Sequence, residues 1–329
     1  MSMSRPTSRL LRCLFIVLAG VTGASSMMAA TDTLTSDGIY ERKVLVPGSD
    51  AKQITFFLKL PPGVRSGADI KGVFSFCTWE SDPKTIRANM ADKLTDDVTA
   101  RVGNFPALAN GMAVVSWTTF GTKKAFDKSR NFDEMTTREA AQIDREFDKI
   151  ARTWRKGIDG LIKDYQLPPQ GWFLHGISRG GQWAHRLALR EADLFGAVHI
   201  HINSSYDLPT PEAARILWLV STGELEAGYP AAKRFYAAAR KLNYPMIFYA
   251  EPKLGHDDSP KVRSLGNAFF SYALARARND PGVSKEERFV GDYLKHEYVS
   301  AAQAAQIPPE LQVYLPSKKL AELWGMSAE

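Results

Sequence analysis

The stretch GWFLHGISRGGQWAHRLALR, residues 171–190, sets one serine between a strand-like run and a helix-like run. The apolar letters WFL are typical of a buried strand, and the sequence after the paired glycines favours a helix. Between them, Gly176, Ser178 and Gly180 form the pattern G-x-S-x-G. Two explanations fit: Ser178 is a nucleophile held on a sharp strand-to-helix turn, or it only caps the helix. Glycines make room for such a turn and leave the hydroxyl accessible, so the nucleophile is the favoured interpretation.

Strand-like runs recur on both sides of this turn. The first two alternate polar and apolar residues and meet across PGSD, which predicts an antiparallel hairpin. The later runs are nearly continuous in apolar residues, as in strands that are covered on both faces. The eight predicted strands are 39–46, 53–60, 72–79, 112–119, 171–177, 196–203, 215–222 and 245–251.

Helical patterns separate the later strands. The longest is predicted to begin at Thr136, which with Glu139 forms a capping box. Apolar residues at spacings of three and four give this helix one buried face: Ile143, Phe147, Ile150, Trp154, Ile158 and Leu161. The alternation predicts a three-layer α/β fold, with an eight-stranded, mostly parallel sheet and helices on both faces. Because residues 204–214 are too few for a multi-helix lid, no large cap domain is expected.

The first thirty residues differ from the rest of the chain. Three arginines without any acid precede the apolar run CLFIVLAGVTGA, and the small residues SSMMAA follow it. This order predicts a secretory signal peptide over 1–30, cleaved near Ala24 or Ala30, and a secreted or periplasmic protein without stable membrane insertion afterwards. A disordered start is the alternative. Loss of the three arginines reduces the formal net charge from +6 to +3.

Composition excludes some classes of protein and predicts one main domain. No dense Lys/Arg patch with interleaved aromatic residues is present, so nucleic-acid binding is not expected. Cys77 is the one cysteine after the signal segment, which rules out an intrachain disulfide there. Residues 31–279 are predicted to form the α/β domain. Residues 280–329 are expected to dock on it as an extension, within which 288–306 is compatible with a helix.

A serine hydroxyl needs a base to take its proton, and the base needs an acid to orient it. His256 is the favoured base, because it follows Gly255 in the loop just past the last predicted strand. The other histidines are interpreted as core, structural or exposed: His175, His185, His199, His201 and His296. A metal site at His199 and His201 would lack further ligands, so neither a metal nor another cofactor is expected.

Four carboxylates compete for the role of the acid. Glu226 is favoured, because it lies three residues after Gly223 in the turn that ends a strand. Glu224 is the main competitor, and Asp257 and Asp258 are more distant possibilities. An ordinary solvated carboxylate is the alternative explanation for each of them.

The order Ser178, Glu226, His256, each just after a strand, resembles the α/β-hydrolase superfamily over about residues 38–278. The turn HGISRGG is most similar to secreted esterases and to catalytic domains of prolyl-oligopeptidase-type peptidases. Asp is the more common acid in the superfamily. The resemblance also implies an oxyanion hole from two backbone N–H groups. One belongs to Arg179, and the other to Trp79, with Thr78 in reserve, in a loop where the superfamily commonly has His-Gly.

These residues together predict a secreted serine esterase, a carboxylic ester hydrolase that forms an acyl-enzyme on Ser178. An open cleft suits short acyl groups on bulky or polymeric alcohols, including polysaccharides. Aromatic candidates for its rim, each also compatible with a core position, are Trp79, Trp117, Trp183 and Tyr206. A serine peptidase or amidase of prolyl-oligopeptidase type is one alternative, although such peptidases add a large N-terminal gating domain. A non-catalytic binding protein of the same fold is the other, and it would be expected to lack a triad residue.

Overall fold

In the computed structural model, the described residues are 32–47, 53–64, 67, 69–77, 82–93, 105–118, 137–285 and 287–327. Residues 31–329 form one compact unit. Three sequence predictions lie outside the described residues: the signal segment 1–30, the oxyanion candidates Thr78 and Trp79, and the capping residue Thr136. Within the described part, no helix is long and apolar enough to cross a membrane.

One large sheet organises the described chain. Its strands are β1 (Thr33–Leu34), β2 (Ile39–Leu45), β3 (Gln53–Lys59), β4 (Gly72–Cys77), β5 (Met112–Trp117), β6 (Trp172–Ile177), β7 (Phe195–His201), β8 (Leu217–Gly223) and β9 (Met246–Glu251). Their order is β1-β2-β3-β5-β4-β6-β7-β8-β9. Strands β1, β2, β3 and β5 pair antiparallel, and β5, β4, β6, β7, β8 and β9 pair parallel.

The predicted α/β class and mostly parallel sheet are confirmed. All eight predicted strands are present as β2–β9, with ends within about two residues of the predicted ones in the described chain. The strand count differs by one, because the edge strand β1 pairs Thr33 with Glu41 and Leu34 with Tyr40. Two residues are too few to show any periodicity, which is why the sequence did not reveal this strand.

The helices are α1 (Pro83–Lys93), α2 (Thr137–Tyr165), α3 (Arg179–Arg190), α4 (Tyr229–Lys241), α5 (Pro260–Ala277), α6 (Pro281–Lys285) and α7 (Lys318–Trp324). They cover both faces of the sheet, as adjacent residues of β7 show. His199 lies against Gly266 of α5, and Ile200 lies against Gly181 of α3. Neighbouring residues of a strand point to opposite faces, so α3 and α5 lie on opposite sides.

Helix α2 packs on the same face as α3. Its predicted apolar stripe is buried at Phe147, Trp154, Ile158 and Leu161. A Cβ atom at Gly157 would stand 2.2 Å from the Phe56 ring of β3, so this glycine lets the helix approach the sheet closely. The buried apolar residues and the absence of a side chain at Gly157 together explain how the 29-residue helix α2 packs closely on the sheet.

The C-terminal extension folds as a second, small sheet. Its strands β10 (Phe289–Asp292), β11 (Glu297–Ser300), β12 (Gln312–Leu315) and β13 (Met326–Ser327) have the order β12-β10-β11-β13. The helix considered for 288–306 is therefore wrong over 289–300, and only Ala301–Gln306 is helical, as a 3₁₀ helix. The Asp292 carboxylate accepts hydrogen bonds from the backbone N–H groups of Leu294 and Lys295, and His296 has φ 56°. This turn joins two short runs rich in aromatic and β-branched residues, which favour strands.

The small sheet packs against β9, the last strand of the large sheet. Trp324 Nε1 donates a 2.7 Å hydrogen bond to the Phe248 carbonyl of β9, and the Trp324 side chain is fully buried. Tyr236 of α4 donates to the carbonyl of Gln312 in β12. The extension thus covers an edge of the large sheet that has no strand partner in the described chain.

Candidate active site

Ser178 stands on a strained turn between β6 and α3. Its φ of 54° and ψ of −124° are unusual for a residue with a side chain. A Cβ atom at Gly176 would lie 2.5 Å from the Gly180 carbonyl oxygen and 2.6 Å from the Ala184 Cβ atom. Glycine at 176 is therefore what allows strand and helix to meet so closely.

The hydroxyl of Ser178 does not cap the helix. The side chain makes no hydrogen bond to the N-terminal N–H groups of α3. Its Oγ atom lies 2.9 Å from Nε2 of His256 instead. Strain at a residue whose hydroxyl faces a histidine is typical of a functional site, and it favours the nucleophile over the helix cap.

His256 bridges the serine and a carboxylate. It lies in the loop between β9 and α5, and its Nδ1 atom is 3.1 Å from Oε1 of Glu226. The His256 side chain is 52% exposed, whereas that of Glu226 is 2% exposed. An ionised Glu226 accepts the Nδ1–H bond, which leaves Nε2 free to accept the proton of Ser178.

The structure separates Glu226 from the other acid candidates. Glu224 and Asp257 are exposed, and Asp258 faces His201 and Arg263. Among the described residues, Glu226 is the one carboxylate with a hydrogen bond to the His256 ring. It is placed by a tight turn in which its N–H donates to the Gly223 carbonyl at 3.2 Å.

The acid loop and the histidine loop are in direct contact. A Cβ atom at Gly223 would stand 2.2 Å from the Leu254 carbonyl oxygen, and the N–H of Leu225 donates to that same carbonyl at 2.9 Å. Since strands β8 and β9 are parallel neighbours, their C-terminal loops meet at one edge of the sheet. Ser178 follows β6 at the same edge, which explains how residues 178, 226 and 256 come together.

Helix α3 begins directly after Ser178, so its N-terminus lies at the serine turn. Arg179 is the first residue of that helix, so its backbone N–H lies at the positive end of the helix dipole. Such groups and the helix dipole stabilise negative charge, as an oxyanion requires. The second predicted donor, Trp79 or Thr78, lies outside the described residues.

Two aromatic candidates for the cleft rim, Trp117 and Trp183, are packed in the interior, whereas Trp79 lies outside the described residues. Trp117 is fully buried against Trp154, with ring centroids 5.1 Å apart, and Trp183 is buried against Phe147 at 5.3 Å. Neither lines a cleft in this structure, so that expectation is corrected. Both side chains point toward α2, and a strand or helix position alone does not reveal which face is covered.

Tyr206 is partly buried beneath the acid loop. Its ring stacks on Phe235, with ring centroids 5.0 Å apart. Burial, together with the negative charge of Glu226, raises the pKa of Tyr206. It therefore supports the Glu226 side of the site and does not form part of an exposed rim.

Three of the remaining histidines form a buried row below the site. Burial lowers the pKa of His175 to about 3 and that of His201 to about 4, and it lowers the pKa of His199 as well. These rings are therefore neutral at neutral pH. Within the part of the chain that the structure describes, no group of three His, Cys, Asp or Glu side chains is arranged to hold a metal ion. Cys77 is free and buried.

Contacts around His201 and Asp258 were not anticipated from the sequence. The sequence alone predicts a structural position or a metal pair for His201, and a triad acid or a solvated carboxylate for Asp258. His201 ends strand β7, and Asp258 lies two residues after His256. These positions next to the proposed triad are the signal that would have suggested a supporting role. The contacts join the ends of β6, β7 and β8 to the loop after β9 and to α5, so spacing along one strand does not reveal them.

Comparison with known proteins gives similar structures at low sequence identity. No protein-family description and no curated protein match the chain. The structure of a thermostable esterase aligns with a TM-score of 0.52 at 14% identity, over 74% of this chain and 63% of that chain. A ferulic acid esterase aligns at TM-score 0.46 and 14% identity, over 73% and 98% of the two chains. A putative dipeptidyl aminopeptidase IV from Bacteroides ovatus aligns at 0.49 and 12%, over 72% and 35%.

The sheet, the strained serine turn and the order of serine, acid and histidine decide the architecture. The chain has the α/β-hydrolase fold. The similarity to the thermostable esterase agrees with this assignment, and at 14% identity it concerns the fold alone. The match covers less than two thirds of that esterase and about a third of the peptidase-like chain.

Proposed function

We propose that this α/β-hydrolase-fold protein is a serine esterase that cleaves carboxylic esters through an acyl-enzyme on Ser178. The observation that supports the proposal most is the continuous contact from Ser178 Oγ to His256 Nε2 and from His256 Nδ1 to Glu226 Oε1, at 2.9 and 3.1 Å. A hydroxyl, an imidazole and a buried carboxylate in this order are what nucleophilic acyl transfer requires.

In the proposed reaction, Ser178 Oγ attacks the ester carbonyl carbon while His256 Nε2 takes the hydroxyl proton. Glu226 stabilises the imidazolium that results, and the Arg179 N–H stabilises the oxyanion. Collapse of the intermediate breaks the bond to the alcohol oxygen, which receives the proton from His256. Water then attacks the acyl carbon with the same assistance, and the acid and Ser178 are released.

The substrate class that we propose is a short acyl group on a bulky or polymeric alcohol, such as a polysaccharide. The connection between β7 and β8 is short, with one 3₁₀ turn at Pro211–Arg215, and no cap domain stands there. A site without a large cap has little apolar surface to enclose a long acyl chain. From the signal-peptide pattern in residues 1–30, we also propose that the protein is exported before it acts.

A fluorophosphonate probe tests the reaction class directly. We expect the wild-type protein to be labelled, the Ser178→Ala variant to remain unlabelled, and a Ser300→Ala control to behave as wild type, since Ser300 lies in the small sheet. A folded wild-type protein that resists the probe would favour the binding-protein alternative. A nitrophenyl acetate and a peptide anilide, offered in parallel, then distinguish an esterase from a peptidase or amidase.

A further inference from the structure

His201 is the one described residue whose main chain contacts the Ser178 turn and whose side chain faces the histidine loop. At the end of β7, its carbonyl oxygen accepts a 2.9 Å hydrogen bond from the Ser178 N–H. Its ring Nε2 atom lies 3.7 Å from Oδ1 of Asp258, two residues after His256, which is close contact but longer than a hydrogen bond. The side chain is fully buried, so the ring stands between the turn and the loop.

The opposite side of the Asp258 carboxylate is held by helix α5. Oδ2 of Asp258 lies 3.1 Å from Nε of Arg263, in the first turn of that helix. The next residue, Ser259, caps α5 by accepting a hydrogen bond from the Val262 N–H at 3.1 Å. Asp258 is therefore fixed between β7 and α5, immediately beside the loop that presents His256.

The polarity of the His201 ring fits this arrangement. Burial keeps His201 neutral, so one ring nitrogen carries a proton and the other accepts one. Ser221 Oγ lies 2.9 Å from His201 Nδ1 and 2.8 Å from His199 Nε2. In the tautomer in which Ser221 Oγ donates to His201 Nδ1, the remaining ring proton sits on Nε2 and faces the Asp258 carboxylate. In the other tautomer Nδ1 donates to the Ser221 carbonyl oxygen, which lies 3.3 Å away.

We propose that His201 is a positioning residue that sets the separation of Ser178 and His256 through Asp258. This inference rests on the proposed esterase function, in which that separation governs proton transfer. Without the polar ring, nothing in the β7 strand end attracts the Asp258 carboxylate, and the His256 loop shifts away from Ser178. A misplacement of about 1 Å at such a site commonly costs on the order of a hundredfold in rate.

Four variants of the full chain test the proposal. We expect His201→Leu and Asp258→Asn to lower kcat by about tenfold to a hundredfold, with KM changed by less than about twofold. His201→Gln retains an N–H donor toward Asp258 and should recover much of the loss. His175→Leu is the matched control, since His175 is equally buried on the same side of the sheet and packs on His199 at 4.7 Å. It should leave kcat close to wild type.

Crystal structures of the variants supply a readout that is independent of turnover. The 2.9 Å distance from Ser178 Oγ to His256 Nε2 should lengthen in His201→Leu and Asp258→Asn and persist in the control. An unchanged distance, or an equal loss of kcat in His175→Leu, overturns the positioning role. A lengthened distance in a protein that hydrolyses no ester supports the positioning role and overturns the esterase proposal. Asp258 is partly exposed, so its variant carries the test if the buried substitution prevents folding.

Discussion

At the scale of single residues, the contrast in exposure between His256 and Glu226 matters most. The half-exposed imidazole can reach both a substrate and Ser178. Because little water surrounds the buried carboxylate, its electrostatic interaction with the imidazole is weakly screened. Glu226 Oε2 has no hydrogen-bond partner within the described residues, so the interaction of this carboxylate with His256 is concentrated on Oε1.

The first prediction concerns the two reacting side chains. Ser178→Ala and His256→Ala are each expected to lower ester turnover by about a thousandfold or more, because the triad acts as a unit. Thermal midpoints should stay close to wild type, since both side chains lie at the surface of the site. The check is steady-state hydrolysis of nitrophenyl acetate beside a thermal melt. Retention of more than about a tenth of the wild-type rate would refute the assignment.

The second prediction compares two neighbouring acids. Glu226→Gln is expected to reduce kcat by orders of magnitude, because a neutral amide does not stabilise the imidazolium formed on His256. Glu224→Gln is the matched control and should have a small effect, since that side chain is exposed and makes no described contact with the ring. Measured kcat values with the reverse ranking would transfer the role to Glu224.

At the scale of structural elements, the connection after β7 is tied to helix α3. Asp207 Oδ1 accepts hydrogen bonds from Arg186 Nε and Nη2 at 3.1 and 3.0 Å, and its Oδ2 accepts one from Arg190 Nη1 at 3.3 Å. The Asp207 N–H also donates to His185 Nε2 at 2.9 Å. These bonds hold the segment that follows β7 against α3, the helix that begins directly after Ser178.

The third prediction follows from the pKa of Asp207. Burial alone would raise this pKa, but Arg186, His185 and Arg190 outweigh it and lower the pKa overall. A lowered pKa means that the carboxylate stabilises the fold above the unfolded value near pH 4, and that this stability is lost as the pH falls through the folded value. Asp207→Asn should therefore cost about 3 kcal/mol at pH 7 and progressively less below about pH 4.

Urea unfolding at several pH values measures this difference. The matched control is Asp193→Asn, whose carboxylate is 51% exposed in its pair with Arg155 and should matter by less than about 1 kcal/mol. A cost for Asp207→Asn that does not change with pH would contradict the charge-based explanation.

Sequence predicted the large sheet well, because apolar runs separated by turns mark strands regardless of their neighbours. The sequence also predicted that Ser178, Glu226 and His256 lie at one edge of the sheet, since parallel strands place their C-terminal loops together. The faces of Trp117 and Trp183 were not predictable, because the position of α2 decides them. In the extension, the alanine-rich run after Ser300 forms a 3₁₀ helix at Ala301–Gln306. The turn at Asp292–His296 and pairing with β12 and β13 impose strands on the residues before it.

At the scale of the whole molecule, the large sheet and the small sheet share a boundary at β9. Tyr293 packs on Phe248 with ring centroids 5.8 Å apart, and His296 packs on Tyr249 at 5.4 Å. Trp324 stacks on His296 and is fully buried. The extension thus contributes to the stability of the strand that leads into the His256 loop.

The fourth prediction concerns Trp324. Replacement of this buried ring by Ala should lower the free energy of unfolding by roughly 3–5 kcal/mol, because a large cavity opens beside β9. The kcat per fluorophosphonate-reactive molecule should stay near wild type, since the ring contacts no residue of the site. Leu294→Ala, at a side chain that is 59% exposed, is the control and should cost less than about 0.5 kcal/mol. A large fall in kcat per reactive molecule would mean that the extension shapes the site directly.

The fifth prediction concerns substrate size. With no cap domain between β7 and β8, nitrophenyl acetate and butyrate should be hydrolysed far faster than nitrophenyl palmitate, and acetylated polysaccharide should be deacetylated. Kinetics on this series, with an emulsified triglyceride for comparison, measure the preference. Activation at an oil–water interface would contradict a site without a lid.

The covering of β9 also has a consequence for synthesis. The strand at Met246–Glu251 emerges from the ribosome well before the segments at 289–327 that cover its edge. Until they arrive, the nascent chain carries every residue of the proposed triad but exposes a strand edge ready to pair with another chain. A premature stop near residue 286 should therefore be deleterious through aggregation and chaperone capture, although no triad residue is lost.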